Sequence, residues 1–253
     1  MTVIIFAEVL MQKILSNVRK AIANYHLITD GDVIAVGVSG GKDSMAMLYA
    51  LYQLKKYSIL DITIHAIYIN VGFDDIVRDE SVRLFCNQHD IPYHHIDTDI
   101  ADILSTSDSS PCSLCSKMRR GALVNKATEL GCNKLALGHH SDDVLTTFML
   151  SMIYEGRLST IQPIVSGDKE TITVIRPMLY VNEGDIRGAV RRHSLPTFDN
   201  PCPHDKHTER EHMNEIISSI QEDIPIARSR IKSALLHPER NNLIPPPSPT
   251  SKD

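Results

Sequence analysis

Between residues 33 and 44 the chain runs from an apolar, β-branched stretch, Val33-Ile34-Ala35-Val36-Gly37-Val38, straight into Ser39-Gly40-Gly41-Lys42-Asp43-Ser44. Those last six residue types suit a phosphate. Adjacent glycines let backbone N–H groups turn inward around an anion, and a helix starting just beyond adds its positive end. Lys42 can neutralise phosphate oxygens, while Ser39 and Ser44 can donate hydroxyl hydrogen bonds. Asp43 makes sense beside an anion if Mg²⁺ sits between its carboxylate and the phosphates. The spacing is not that of a Walker loop, because Gly37 stands one residue too close to Gly41 and an Asp follows the lysine.

Cysteines supply the second kind of chemistry. Cys112-Ser113-Leu114-Cys115 has the spacing that lets two thiolates reach one metal, and Cys202 sits in a Pro-braced segment, Asn200-Pro201-Cys202-Pro203-His204. Three thiolates can hold an iron–sulfur cluster with one iron left open, or a zinc ion with His204 or His207 as fourth ligand. A redox dithiol, with Cys112 activated by a following helix, is a third reading. Cys86 and Cys132 fall in apolar helical contexts and are expected in the core. Further along, Gly138-His139-His140 ends an apolar run and Asp142-Asp143 opens a helical one. The two histidines can orient substrate or ATP. Either aspartate can ligate Mg²⁺ or steer a proton, and each can equally serve as a helix cap.

The elements that must position these residues alternate. Helical periodicity covers residues 7–27, and the strand at 33–38 leads through the glycine loop into a helix starting at Met45. A strand is expected over 62–70, a polar-faced helix over 75–89 and a third strand over 93–96. Residues 105–111 are expected to form a loop delivering Cys112, followed by a helix over 115–130 that stops at Gly131. A strand over 134–137, a helix over 142–154, a strand over 173–176 ended by Pro177 and a short helix over 183–193 complete the pattern. Strands alternating with helices predict an α/β fold, a doubly wound and mostly parallel sheet with helices on both faces. Such sheets bind ligands at the carboxyl ends of their strands, where Gly40, Gly41, Asn70, His139 and His140 would all fall. The expected division is an N-terminal helix (1–28), a catalytic domain (29–205), two C-terminal helices joined near Pro225 (206–237) and a Pro-rich disordered tail (238–253).

Composition narrows the options. The 253 residues carry 26 Lys plus Arg against 31 Asp plus Glu, a net charge of −5, which disfavours wholesale nucleic-acid coating. Local basic patches remain: Lys117, Arg119, Arg120, Lys126 and Lys134; Arg187, Arg191, Arg192 and His193; Arg228, Arg230 and Lys232. The first two could contact RNA phosphates, although each alone reads as a solvated helix face. No stretch approaches the roughly 18 apolar residues of a membrane span. The opening MTVIIFAEVL lacks a basic leader and reads as an amphipathic helix, not a signal peptide. An odd cysteine count without a secretion signal points to a reducing, cytoplasmic setting.

The motif SGGKDS resembles the pyrophosphate-binding loop of the PP-loop ATPases, which split ATP between its α- and β-phosphates. Pro111-Cys112-Ser113-Leu114-Cys115-Ser116-Lys117-Met118-Arg119-Arg120-Gly121 and Leu137-Gly138-His139-His140-Ser141-Asp142-Asp143 are similar to the tRNA 2-thiocytidine synthetase group of that superfamily, at the group's own spacing. The likeness runs from about residue 20 to 205. It implies an α/β Rossmann-like core and an enzyme that adenylates the C2 oxygen of a tRNA pyrimidine, cytidine favoured, and replaces it with sulfur. It also implies a [4Fe-4S] cluster on Cys112, Cys115 and Cys202, whose open iron carries the sulfur, and a supply from a cysteine desulfurase persulfide or inorganic sulfide. ATP with Mg²⁺ would be held by Ser39, Gly40, Gly41, Lys42, Asp43, Ser44, Asn70, Gly138 and His139. Asp43, Asp142, Asp143, Cys112 and Cys202 would take part in the chemistry, in a possible homodimer. Three features depart from the group: Thr146 stands where a glutamate is usual, Asn70-Val71-Gly72-Phe73-Asp74-Asp75 is closer to 2-thiouridine enzymes, and Cys202 stands alone where many members have a second C-x-x-C. Two other readings compete: a PP-loop enzyme acting on a small molecule with a structural zinc site, and a non-catalytic nucleotide-binding regulator.

Overall fold

Val33–Gly37 forms β1, and its neighbours on either side are both parallel to it: β2 (Thr63–Asn70) and β4 (Lys134–Ala136). With β3 (Tyr93–Asp97), β5 (Ile164–Ser166) and β6 (Thr173–Ile175) the sheet has six strands in the order β3-β2-β1-β4-β6-β5. The computed structural model describes residues 2–73, 78–106, 111–166, 172–199, 201–202 and 208–243, and in the first helix the side chains from Met11 onward. All pairings are parallel except β5 with β6. The predicted doubly wound, mostly parallel sheet is therefore correct. β5 was not foreseen, because three half-exposed residues on an edge leave no alternating pattern to read.

Parallel strands need crossovers, and here helices supply them on both faces. Along β1, Ile34 and Val36 point to one side and Ala35 to the other, the period-2 alternation of a pleated strand. The Ile34 side packs against α1 (Thr2–Tyr25), α2 (Lys42–Lys56), α3 (Glu80–Gln88) and α7 (Glu183–Arg192). The Ala35 side, with Ile67, Ile69 and Leu135, packs against α4 (Ile100–Ser105) and α5 (Pro111–Glu129). Lys13 on α1 donates to Asp185 on α7 at 2.9 Å, which ties the first helix to the late one across 172 residues. At the start of the sheet Asn133 clamps two strands: its amide donates to Asp32 at 2.6 Å and its oxygen accepts from the Val33 N–H at 2.9 Å.

α6 (Ser141–Glu155) carries a smaller third cluster, in which Leu145 and Met149 meet Met213 and Ile217 of α8 (Glu209–Asp223). α9 (Ala227–Leu236) follows, as expected for two helices joined near Pro225. Several expectations need correction. Cys112 lies inside a helix, since α5 begins at Pro111 and not at Cys115; of the loop expected over 105–111, Ser105 ends α4 and residues 107–110 lie outside the described ones. Proline at a first helical position has no N–H to lose, which lets α5 start there. The helix expected over 75–89 begins at Glu80, and residues 74–77 lie outside the described ones. The tail expected to be disordered begins with a 3-10 turn at Pro238–Arg240, while 244–253 lie outside the described residues. Gly131 does end α5, at φ +71°. No helix among the described residues is long and apolar enough to cross a membrane.

Leu51 lies in α2 with no exposed surface, inside the cluster that seats this helix on the sheet. Leu51→Ala should therefore cost about 2–5 kcal/mol, read as a lower urea midpoint at unchanged slope.

Candidate functional site

The glycine loop leaves β1 at its carboxyl end and enters α2 at Lys42. Gly41 at the N-cap offers no side chain, so the first N–H groups of α2 are left without a side-chain cap. That arrangement suits an anion. Ser44 folds back inside the turn, where its hydroxyl donates to the Gly41 carbonyl at 2.9 Å and accepts from the Ser39 N–H at 3.1 Å. Gly40 is required twice over: its φ is +78°, and a Cβ there would stand 2.2 Å from the ring of Phe198. The Phe198 N–H donates to the Gly40 carbonyl at 3.0 Å, so the segment carrying Cys202 is strapped to the loop. Lys42 pairs with Asp43 at 3.1 Å and with Glu183 of α7 at 3.2 Å. These carboxylates outweigh the burial that pulls its ammonium down, and they hold its pKa above the ordinary lysine value.

The end of β4 meets the first turn of α2. A Cβ on Gly138 would lie 3.1 Å from the Asp43 carbonyl carbon and the Ser44 nitrogen, tighter than ordinary contact, so glycine suits this approach. His140, 5% exposed, caps α6: its Nδ1 accepts from the Asp142 N–H at 3.2 Å, while Asp143 accepts from the His140 N–H at 2.9 Å. The proton of His140 is thereby left to Nε2, which faces Asp43 Oδ1 at 3.5 Å and Asp143 Oδ2 at 3.4 Å. His139 lines the same cavity; burial, with Arg176 next in weight, pushes its pKa down to about 4, so the ring is neutral.

The two aspartates separate. Asp143 lines the cavity together with Asp43. Asp142 is not brought to it. It turns toward the C-terminal helices, accepting from Arg228 at 2.7 Å, Lys232 at 2.9 Å and the Glu183 N–H at 2.9 Å. Burial pulls its pKa up, but the Glu183 N–H and the two cations outweigh that and hold it at about 2. Arg228 and Lys232, read from sequence as part of a solvated basic face, are thus turned inward.

Cys112 and Cys115 stand one helical turn apart at the start of α5, the i, i+3 spacing that places both on one face. They and Cys202 line one cavity of about 840 Å³, which also contains Ser39, Asp43 and Ser44. Burial raises the Cys115 thiol pKa; Arg119 opposes this, while Cys202 and Cys112 add to it, so the three sulfurs sense each other. The donor set fits an iron–sulfur cluster with three protein ligands. Among the described residues, no three His, Cys, Asp or Glu side chains gather around a point suited to a single metal ion. His204 and His207, the zinc ligands of the alternative reading, lie outside the described residues. Cys86 and Cys132 are buried in the core, as expected. A second cavity of about 510 Å³ adjoins the loop and contains Gly41, Lys42, Asp43 and Asn70. Asn70 is braced there by Asp97, to which it donates at 2.9 Å, and by the Gly72 N–H.

Three contributors escaped the sequence reading. Phe198 lies in a loop with no pattern to mark it. Arg210 reaches the cavity only because α8 packs on α6, where it lies 3.5 Å from Asp143 and donates to Thr147 at 2.9 Å. Arg176 did leave a signal, as a charged residue closing a buried strand at its carboxyl end. Thr146, the departure noted above, is buried and donates to Asn214 of α8 at 2.6 Å.

A parallel sheet with a glycine loop at the start of its second helix, and ligand groups gathered at the strand ends, defines a nucleotide-binding protein of the PP-loop class. The PP-loop domain model matches residues 10–220. The chain is 37% identical over 240 residues to a tRNA-cytidine(32) 2-sulfurtransferase of Syntrophotalea carbinolica, covering 93% of this chain and 92% of the relative. It is 36% identical to the protein of the same name from Citrifermentans bemidjiense, with 89% and 91% covered. Among solved structures it resembles the U34-tRNA thiolase NcsA of Methanococcus maripaludis with its [4Fe-4S] cluster, at TM-score 0.75 and 25% identity over 93% of this chain and 81% of that one. The chain belongs to the tRNA-cytidine(32) 2-sulfurtransferase family of PP-loop proteins.

The Asp142 network makes a pH prediction. A carboxylate whose folded pKa lies below its unfolded value stabilises the fold above the unfolded value, about 4, and loses that contribution as pH falls through the folded value, about 2. The contribution is on the order of 2 kcal/mol. Asp142→Asn should lower stability at neutral pH and flatten the loss between pH about 4 and about 2, measured by urea melts across that range.

Proposed function

We propose that this protein uses ATP to replace the C2 oxygen of cytidine 32 in tRNA with sulfur. The observation that carries this reading is the meeting of phosphate-loop residues and three thiols in one cavity. Phosphate chemistry beside a thiolate cluster is what an activation followed by sulfur transfer needs. ATP converts the C2 oxygen into an adenylate and releases pyrophosphate; incoming sulfur then displaces AMP. The choice of cytidine over uridine rests on the 37% identity to cytidine enzymes against 25% to the uridine thiolase.

In this reading the uncapped N–H groups of α2, with Ser39, Gly40, Gly41, Lys42 and Ser44, bind the pyrophosphate end of ATP. Asn70, Gly138 and His139 border the rest of the nucleotide. Asp43 and Asp143 would hold Mg²⁺, which neutralises phosphate charge. His140, buried and capping α6, sets its Nε2 3.5 Å from an Asp43 oxygen and 3.4 Å from an Asp143 oxygen. Asp142 takes a structural part, anchoring α9. Cys112, Cys115 and Cys202 would hold a [4Fe-4S] cluster, which supplies an open iron where sulfur can be kept for transfer. A persulfide from a cysteine desulfurase or inorganic sulfide provides that sulfur. The same proposal takes residues 29–205 as the catalytic unit, 1–28 and 206–237 as helical additions and 238–253 as a tail, and sets the enzyme in the cytoplasm as a homodimer.

Nucleoside mass spectrometry of bulk tRNA from cells with and without the gene tests the reading. Loss of 2-thiocytidine with 2-thiouridine derivatives retained is expected; an unchanged thionucleoside profile in a strain lacking any second copy overturns it. Asp43→Asn should reduce pyrophosphate release in the presence of tRNA on the order of 10²-fold, with the fold retained by circular dichroism.

A further inference from the structure

Arg176 closes β6 at the carboxyl edge of the sheet and is 8% exposed. Its Nη1 donates to the Gln162 carbonyl at 2.7 Å. Its Nε is buried with no hydrogen-bond partner, and Nη2 has none among the described residues. No carboxylate among those residues lies within ion-pair distance of it. The charge it senses is a like one, Arg120 of α5, which together with burial pulls its pKa below the usual arginine value. A buried guanidinium without a counter-charge is costly, and one facing a second guanidinium more so.

The neighbour just beyond β4 has the same deficit. His139 Nδ1 is buried and without a hydrogen-bond partner, and the ring feels the charge of Arg176. Arg176, His139 and the exposed Arg120 line the 840 Å³ cavity with the three cysteines and with Ser39, Asp43 and Ser44 of the loop, whereas Gly41 and Lys42 line the adjoining 510 Å³ one. A guanidinium whose Nε–H and Nη2–H edge is vacant presents two parallel donors, the fork that matches two oxygens of a phosphate.

We propose that Arg176, with Arg120 and the Nδ1 edge of His139, forms a second anion subsite, beside the cysteines in the cavity that the glycine loop also borders, that takes a phosphate group. Two sources have this chemistry: the phosphodiester of the RNA nucleotide presented to the cysteines, and the phosphate of AMP. Both rest on the functional reading above.

The experiment uses the full-length protein with its cluster reconstituted under anaerobic conditions. Dissociation constants are measured for two probes, a fluorescent anticodon stem-loop RNA and AMP, with wild type, Arg176→Met, Arg176→Lys and Arg120→Gln. Arg176→Met is expected to weaken one probe at least about tenfold, with Arg120→Gln weakening the same probe less. Loss of RNA binding with AMP intact assigns the phosphodiester; loss of AMP with RNA intact assigns the nucleotide. Unchanged affinity for both probes overturns the subsite. If the methionine variant fails to fold, wild-type affinities in both Arg176→Lys and Arg120→Gln overturn it instead. A ligand-binding role also predicts that Arg176→Met melts no lower than wild type without ligand, because the removed charge had no counter-charge; a purely structural arginine would lower that melting temperature. Wild type that binds neither probe fails the functional reading itself, whereas wild-type binding with unaltered variants fails the subsite alone.

Discussion

How closely the end of β4 can approach the first turn of α2 governs the rest of the functional edge. The approach is close enough that a Cβ on Gly138 would stand 3.1 Å from backbone atoms of Asp43 and Ser44. A methyl group there would require the two backbones to give slightly. Because the contact is made, His139, His140 and Asp143 arrive beside Asp43, and the start of α6 faces the start of α2. Two helix N-termini then point toward one region, which favours negative charge there. The parallel order β2-β1-β4-β6 makes the approach possible, since it sends the segments following these strands to the same edge.

Polar groups at this edge divide into two kinds. Asp142 is fully engaged by Arg228, Lys232 and a backbone N–H, and behaves as a structural anchor. Asp43 Oδ1, His139 Nδ1 and Arg176 Nε are buried without hydrogen-bond partners, and all three residues line the cysteine cavity. Buried polar atoms are nearly always paired, so orphans gathered around one cavity mark where ligand atoms belong. Two adjacent aspartates with the same chemistry thus do different work, because successive helix residues point about 100° apart.

The C-terminal helices complete the cavity. α8 is held to α6 by the Leu145–Met213 cluster, by Thr146 bonding to Asn214 and by Arg210 reaching Thr147. Thr146 serves as a short buried link between helices; a longer charged side chain would need room that this packing fills. α9 is fastened through Asp142. Thr208, Arg210, Glu211 and Asn214, all beyond the end of α6 by a long stretch of chain, therefore line the same cavity as the cysteines.

Much of this was legible in the residues. The strand–glycine loop–helix unit, the parallel sheet, the C-x-x-C pair and the buried Cys86 and Cys132 follow from local patterns: period-2 alternation, glycines where φ is positive, thiol spacing. The start of α5 differs from expectation because Pro111 to Leu114 carry no helical period of their own, and β5 does because three edge residues carry no period. Phe198 over Gly40, Arg210 beside Asp143 and the inward turn of Arg228 and Lys232 had no local signal at all. Residue type and short-range spacing determined by themselves which chemical groups the chain possesses and which turns it can make. Tertiary structure alone decided which of those groups share a cavity, because that depends on strand order and helix packing between residues as far apart as Gly40 and Phe198, Asp43 and Asp143, and Cys112 and Cys202.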